Sequence, residues 1–270
     1  MIMYTKDNPL RVFEAFAGYG SQALALEKLH EVYPEFCFTS VGISEIEQTA
    51  IEAYDALHPG VVNYGDISKI DWSQVPDFDL FTMSSPCQDF SQAGLQKGGE
   101  EGSGTRSSLL WECRRAILAK KPKYIMLENV AALVSKKFIM CFNKWQGELA
   151  SYGYRNFAQL MNAKHYGTPQ NRNRIFLISI RDDGDNPSFH FPAPFPLTKK
   201  LQDVLDDKVD TKYYLNPVKV QDFVKKNLVK IVDYAATAVK EGQTIEKLSD
   251  ELRKWVEGYG DKYATDKALK

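Results

Sequence analysis

Cysteine and histidine are scarce in this chain of 270 residues, with four of each. Cys37, Cys87, Cys113 and Cys141 form no CxxC pair and have no histidine-rich neighbourhood, so neither a zinc site nor a disulfide framework is indicated and the thiols read as reduced. The histidines stand far apart, at 30, 58, 165 and 190, so any nucleophile would act without a local Cys/His signature. No stretch approaches the roughly 20 apolar residues of a membrane helix, and the first ten residues lack the apolar core of a signal peptide. The chain therefore reads as cytoplasmic. Internal repeats and low-complexity tracts are also missing. What remains, 44% hydrophobic and 26% charged residues, is ordinary globular composition and excludes collagen-like, disordered and membrane classes. At roughly 100 to 200 residues per domain, the length suits one large domain or one domain with an appendage.

Net charge is -1, but it is unevenly spread. Residues 1–105 hold 5 basic against 16 acidic side chains, residues 106–181 hold 14 against 3, and the remainder is balanced at 15 against 16. A basic block in an otherwise acidic chain points to a polyanion partner. It is equally readable as a solvated helix end around Lys120, Lys121 and Lys123.

Apolar runs bounded by turn residues alternate with stretches of helical period. Strands are expected at 10–17, 38–44, just before Gly65, 79–84, 124–127, 155–161 and 174–179, and helices at 21–30, 46–57, 107–119 and 138–149. Such alternation implies a doubly wound α/β fold with a mostly parallel sheet. Residues 88–108, rich in Gly and Ser, read as a long binding loop or lid. Residues 182–196, with Pro187, Pro192, Pro194 and Pro196, read as a boundary. Helical spacing resumes beyond it, in Val218 to Val239 and again in Ile245 to Val256, so a catalytic domain at 1–198 and a helical C-terminal extension at 199–270 are expected.

Several residues fall at strand ends, where open α/β sheets bind ligands. Phe16-Ala17-Gly18-Tyr19-Gly20 follows the first strand; its glycines permit a sharp turn close to a ligand, although the third glycine of the dinucleotide fingerprint is missing and a plain βα turn would look the same. Glu45, 25 residues beyond Gly20, is placed to accept from ribose hydroxyls, or else to start a helix as a solvated acid. Gly65-Asp66-Ile67 suits an adenine edge or a turn. Ser85-Pro86-Cys87-Gln88 opens the long loop with a thiol, which matters only if its surroundings favour the thiolate. Glu128-Asn129-Val130 ends the fifth strand, where a carboxyl can act as donor or acid, or cap a helix. Thr168-Pro169-Gln170-Asn171-Arg172-Asn173-Arg174 enters the last strand; its two arginines are expected on opposite faces, one reaching a ligand and the other bracing the loop, unless both are merely surface residues.

Taken together, Phe16 to Gly20, Pro86-Cys87-Gln88 with Ser91, Glu128-Asn129-Val130 and Gln170-x-Arg172-x-Arg174 stand in the order and approximate spacing of the cytosine-5 DNA methyltransferases, and residues 10–206 resemble that family. The resemblance implies a seven-stranded S-adenosylmethionine-binding sheet. It implies Phe16, Gly18, Tyr19 and Gly20 as the methionine-side loop, Glu45 and Ile46 as ribose and adenine contacts, Asp66 and Ile67 as the adenine edge, and Leu109 as a cofactor wall. Cys87 resembles the nucleophile, Glu128 the residue bonding the cytosine ring, and Arg172 and Arg174 the pair supporting base and loop. Pro86, Gln88, Ser91, Arg106, Asn129 and Gln170 are the implied substrate contacts, double-stranded DNA the implied partner, and no metal is required. A restriction-modification setting in a prokaryote or phage follows from the same likeness.

The resemblance fades after Asp207. No Gly-Asn pair, a C-terminal mark of the family, occurs. Three arrangements account for this: one subunit of a split methyltransferase whose second polypeptide supplies target recognition, a truncated product, or a short enzyme with an unusual recognition element. A tRNA cytosine methyltransferase and a non-enzymatic interaction protein are the rival functions. The joint presence of Cys87, Glu128 and both arginines argues against the latter.

Overall fold

The computed structural model describes residues 4–85 and 106–214, with 216 and 219 beyond them. The chain divides into two compact units, Met1–Val204 and Leu205–Lys270. The first contains strands β1 (Leu10–Ala15), β2 (Phe38–Ser44), β3 (Leu80–Met83), β4 (Tyr124–Val130), β5 (Tyr154–Asn162) and β6 (Asn173–Arg181), and helices α1 (Ser21–Val32), α2 (Gln48–Leu57), α3 (Cys113–Lys120) and α4 (Ile139–Ser151). The sheet order is β2-β1-β3-β4-β6-β5. Strands β1 to β4 pair in parallel, whereas β6 runs antiparallel to both β4 and β5. The result is a Rossmann-like, mostly parallel sheet with one reversed strand. In the second unit, the described residues contain a 3₁₀ turn, Thr211–Tyr213; the helical tail expected there lies outside the described residues.

Six strands, not seven, form the sheet among the described residues. The strand expected before Gly65 is reduced to a single bridge between Ile43 and Asn63. Ile43 N–H donates to the Val62 carbonyl at 2.9 Å and Tyr64 N–H to the Ile43 carbonyl at 2.8 Å. Beyond that the Asn63 side chain takes over, accepting from Glu45 N–H and donating to the Glu45 carbonyl, each at 3.1 Å. A side chain that bonds the backbone in this way competes with the ladder and ends it. The helix expected at 107–119 likewise begins as 3₁₀ turns, Arg106–Glu112, before α3.

Strand β1 is central and buried on both faces, as parallel strands usually are. Phe13, on this strand, packs against Trp72, Phe78 and Phe81 with ring centroids 5.2, 5.4 and 6.1 Å apart. Trp145 of α4, fully buried, meets the edge of Trp111 at 5.5 Å. Each such side chain contributes about 1.5–3 kcal/mol by leaving water.

The proline-rich segment docks on the first unit through its aromatic residues. Phe189 packs on Phe157, Phe191 on Phe189, and Phe195 meets Tyr166 edge-on at 6.1 Å. Phe195 N–H donates to the His165 carbonyl at 3.0 Å, and the Tyr166 hydroxyl donates to the Pro192 carbonyl at 3.1 Å. These contacts keep the segment with the first unit. Among the described residues no helix is long and apolar enough to cross a membrane.

Asp79 joins three strands at the amino-terminal edge. Its carboxylate accepts from Arg11 N–H and Nε at 3.0 Å and from Arg11 Nη2 at 2.9 Å, while its backbone carbonyl accepts from Tyr124 N–H. Burial would raise the Asp79 carboxyl, but the bonds from Arg11 outweigh it and hold the group below the usual carboxylate range. Folding thus favours the ionised form, a contribution present above the unfolded value of about 3.9 and lost as pH falls through the folded one. Asp79→Asn is expected to lower the melting temperature at neutral pH, with the gap to wild type closing at acid pH. Thermal melts across a pH series check this; a gap that persists at acid pH would contradict it.

Candidate active site

Parallel strands bring their carboxyl ends to one edge, and the direction of the sheet's winding switches between β1 and β3. The turn after β1 is tightly wound: Phe16, Gly18 and Gly20 have φ of 57°, 58° and 84°. Phe16 accepts this left-handed conformation, which costs a non-glycine residue roughly 1–2 kcal/mol, because its N–H donates to the Ser44 carbonyl at 2.8 Å and its ring packs on the core. The two glycines serve different ends. A Cβ on Gly20 would lie 2.4 Å from His58 Nε2 and 2.8 Å from the Tyr54 ring, so close approach requires glycine there. A Cβ on Gly18 would meet nothing within 4 Å and would project into open space.

Glu45 follows β2 and binds back to this turn. Its Oε2 accepts from Gly18 N–H at 2.9 Å, and its Oε1 accepts from Ile46 and Glu47 N–H at 2.8 and 2.9 Å. Glu45 stands two residues before the α2 cap, Glu47, and its carboxylate is held by backbone N–H groups on both sides of it. Asn63, which sequence reasoning missed, holds the Glu45 backbone and also accepts from Gly65 N–H at 3.0 Å. Its signal was the Asn-x-Gly of a side-chain-stabilised turn. Asp66 accepts from Ser68 N–H and Oγ–H at 3.0 and 2.8 Å, bonds that pull its carboxyl below the usual range. Ile46 and Tyr19 are 70% and 53% exposed, an apolar surface beside the turn. Ile67 is buried in the core, which leaves only its backbone to face a ligand. Leu109 is half-buried against the core.

At the ends of β3 and β4, Asn129 is buried and donates to both the carbonyl and the Oγ of Ser85, each at 3.2 Å, while its Oδ1 accepts from Val130 N–H. Expected as a substrate contact, Asn129 instead spends its amide inside the protein, because the two strand ends need a cross-tie. Gln22 of α1, also missed from sequence, donates to Ser84 Oγ at 2.9 Å. Pro86, Cys87, Gln88 and Ser91 lie outside the described residues, as does the expected loop up to residue 105. Arg106 opens a 3₁₀ turn, with its side chain outside the described part.

Glu128 receives both arginines. Arg174 Nε lies 2.9 Å and Arg172 Nη2 3.7 Å from Glu128 Oε1. Opposite faces were expected for this pair, and the geometry corrects it: a separation of two residues returns to the same face of a strand. Gln170 is exposed, its N–H donating to the Thr168 carbonyl at 2.7 Å within the same turn. Among the described residues no group of three or more His, Cys, Asp or Glu could hold a metal ion.

A family model, C-5 cytosine-specific DNA methylase, matches residues 10–267. The chain belongs to that family. It is 40% identical to the type II methyltransferase M2.ScrFI of Lactococcus lactis subsp. cremoris, over 79% of this chain and 72% of the relative. It is 32% identical to the orphan methyltransferase M.SssI of Spiroplasma monobiae, over 78% of this chain and 68% of the relative. With the orphan methyltransferase M.SPRI of Bacillus phage SPR the identity is also 32%, over 89% and 58%. This methylase chain thus spans between about half and seven-tenths of the length of such relatives. Among solved structures, a mutant form of Spodoptera frugiperda DNMT2 matches with a TM-score of 0.63 at 19% identity, covering 80% of this chain and 65% of the other. The Schizosaccharomyces pombe Dnmt2 methyltransferase matches at 0.57 and 20%, covering 79% and 64%. These agree with the Rossmann-like sheet.

The methylase turn suits the methyl donor of C-5 DNA methyltransferases, S-adenosylmethionine. Its ribose carries hydroxyl donors for a carboxylate such as Glu45, its purine is a flat apolar body for the exposed Ile46, and the open space at Gly18 admits a close-lying chain. Gly18→Ala and Gly20→Ala separate the two glycine roles. Gly20→Ala is expected to lose roughly 1–3 kcal/mol of stability through overpacking. Gly18→Ala should cost less stability while weakening binding of the demethylated donor by about tenfold. Melting curves and calorimetric titration measure the two effects, and equal losses of binding and stability in both variants would refute the division.

Proposed function

We propose that this chain carries the catalytic part of a DNA (cytosine-5-)-methyltransferase, which moves a methyl group from S-adenosylmethionine to C5 of a cytosine flipped out of duplex DNA, by way of a covalent bond to Cys87. The observation that carries the reading is the convergence of Arg172 and Arg174 on Glu128 at the same sheet edge as the Phe16–Gly20 turn and Glu45. An acid with two guanidinium groups beside it offers a pyrimidine complementary hydrogen-bonding groups at its ring edge. The DNA preference is supported by the family and by its type II and orphan relatives.

The chemistry assigned to each residue follows from the substrate. Cytosine C5 is a weak nucleophile. Addition of the Cys87 thiolate to C6 forms an S–C6 bond and pushes the ring's electron pair toward C5, which becomes enamine-like and nucleophilic. Glu128, its carboxyl O–H donating to N3 and its other oxygen accepting from the exocyclic amine, stabilises the negative charge that develops in the ring, passing its proton to N3 and recovering it when the thiolate leaves, and an arginine near O2 stabilises the carbonyl. S-adenosylmethionine, when bound, supplies an electrophilic methyl group on a sulfonium. Removal of the C5 proton to a base then returns its electron pair to the ring and expels the thiolate from C6. Because a duplex hides C6, the base must leave the stack to reach Cys87. Glu45 and the Phe16–Gly20 turn hold the donor, and Asn129 and Gln22 hold the strand end from which the Cys87 segment departs.

The test is incubation with labelled S-adenosylmethionine and a mixed-sequence duplex containing 5-fluorocytosine, with and without neighbouring gene products, beside a tRNA arm. A denaturation-resistant adduct on DNA that disappears in Cys87→Ser is expected. Methyl transfer that survives Cys87→Ser would remove the mechanism, and an adduct on tRNA alone would transfer the reading to a tRNA methyltransferase. Dependence on a neighbouring product would identify a second polypeptide. Glu128→Gln keeps the shape of the side chain but changes its hydrogen-bonding groups; kcat is expected to fall by about 10²–10³, with KM for the methyl donor little changed.

A further inference from the structure

Asn162 ends β5 and is one of the few polar side chains buried in the first unit, at 8% exposure. Its Nδ2 donates to Asn171 Oδ1 at 2.7 Å and to Asn173 Oδ1 at 2.8 Å, while its Oδ1 accepts from Lys164 N–H at 3.1 Å. Asn171 and Asn173 are the two neighbours of Arg172, and Asn173 precedes Arg174. Asn162 and Asn173 are also the last paired residues of the β5–β6 hairpin. Past that pair, the Ala163 N–H bond to the Arg172 carbonyl at 3.0 Å accompanies the side-chain clamp.

We propose that Asn162 is a positioning residue for the cytosine-ring site: one amide grips both neighbours of Arg172 and thereby sets the direction from which Arg172 and Arg174 meet Glu128. The inference rests on the function proposed above. Asn171, Arg172 and Asn173 are all exposed, so releasing the clamp returns their own polar groups to water, and the stability cost falls on the buried Asn162 amide. What is lost is orientation. Arg172, 3.7 Å from Glu128, is the member of the pair with more freedom to swing away. The methyl-donor turn lies beyond β3, on β1 and β2, and shares none of these bonds.

Asn162→Ala, the exposed pair Asn171→Ala with Asn173→Ala, and the triple variant are compared for kcat, KM for each substrate, binding of the demethylated donor, and melting temperature. Asn162→Ala is expected to lower kcat by about ten- to a hundredfold with donor KM within about twofold of wild type. The pair should lower kcat similarly and also lower the melting temperature, since buried Asn162 Nδ2 loses both acceptors, and the triple variant should lower kcat no further, because all three act through one clamp. A wild-type kcat in the Asn171/Asn173 pair, or effects that add in the triple variant, would overturn the positioning role, and the exposed pair decides the matter even if Asn162→Ala fails to fold. A wild-type chain that transfers methyl to no duplex, alone or with its neighbours, would overturn the proposed function itself, and the positioning role with it.

Discussion

The turn after β1 depends on a carboxylate buried within the sheet. Glu14, on β1 with no exposure, accepts from the Tyr54 hydroxyl at 2.7 Å and from Ala23 N–H at 3.2 Å. Burial pushes its carboxyl up, and the two bonds pull it part of the way back. Ala23 N–H is one of the amides that the first turn of a helix leaves without a partner, and Gly20, at the cap position, has no side chain to offer it. Glu14 therefore caps α1 from inside the sheet. Tyr54 comes from α2, and its ring, 4.7 Å from that of His58, fills the space directly beneath Gly20. One acid thus joins β1, α1 and α2, and the left-handed turn at Gly20 rests on what that acid holds.

Charge follows a similar logic of internal pairing. The basic block looked like a phosphate-binding surface, yet much of it is engaged inside the fold. Arg114 pairs with Glu148, Lys120 with Asp77, Lys123 with Asp183 and Asp185, Arg181 with Asp183, and Arg174 with Glu128. Asp77 belongs to the acidic first segment. The asymmetry along the chain is therefore in part complementarity between segments that fold together. Exposed pairs of this kind add little stability each, but they reduce the charge left over for a duplex.

The alternation of strands and helices was legible because apolar periodicity survives in a single sequence, and strands β1 to β6 and helices α1 to α4 lie where that periodicity puts them. Glu45 and Glu128 were legible too, since strand ends in such folds are few and an acid at one of them is conspicuous. Asn63, Gln22 and Asn162 were not. Each works through a partner distant in sequence or through backbone at a turn, and an isolated Asn or Gln carries no periodic signal. The docking of the proline-rich segment was not legible for a related reason. Its prolines announce a break in regular structure, whereas Phe189, Phe191 and Phe195 dock it by ring contacts that only the folded neighbours Phe157 and Tyr166 reveal. Asn129 was legible as a strand-end residue, but its cross-tie to Ser85 was not, because sequence does not tell which strand ends are tied together.

The reversal of β6 explains how the cluster of Glu128, Arg172 and Arg174 is assembled from residues so far apart. In a parallel strand next to β4, the amino-terminal turn would lie at the opposite edge of the sheet from Glu128. Running antiparallel, β6 begins where β4 finishes, so Arg174 pairs with Val130 and the turn that precedes it faces Glu128. The half that holds Glu45 and the Phe16–Gly20 turn, on β1 and β2, and the half that holds Glu128 and its arginines, on β4 and β6, then flank β3. The last described residues of β3's exit are tied to both halves: Ser84 to Gln22 of α1, and Ser85 to Asn129 of β4. Ties from both sides thus hold the described end of β3, Ser84 and Ser85, so that a shift of either half is felt by the strand between them.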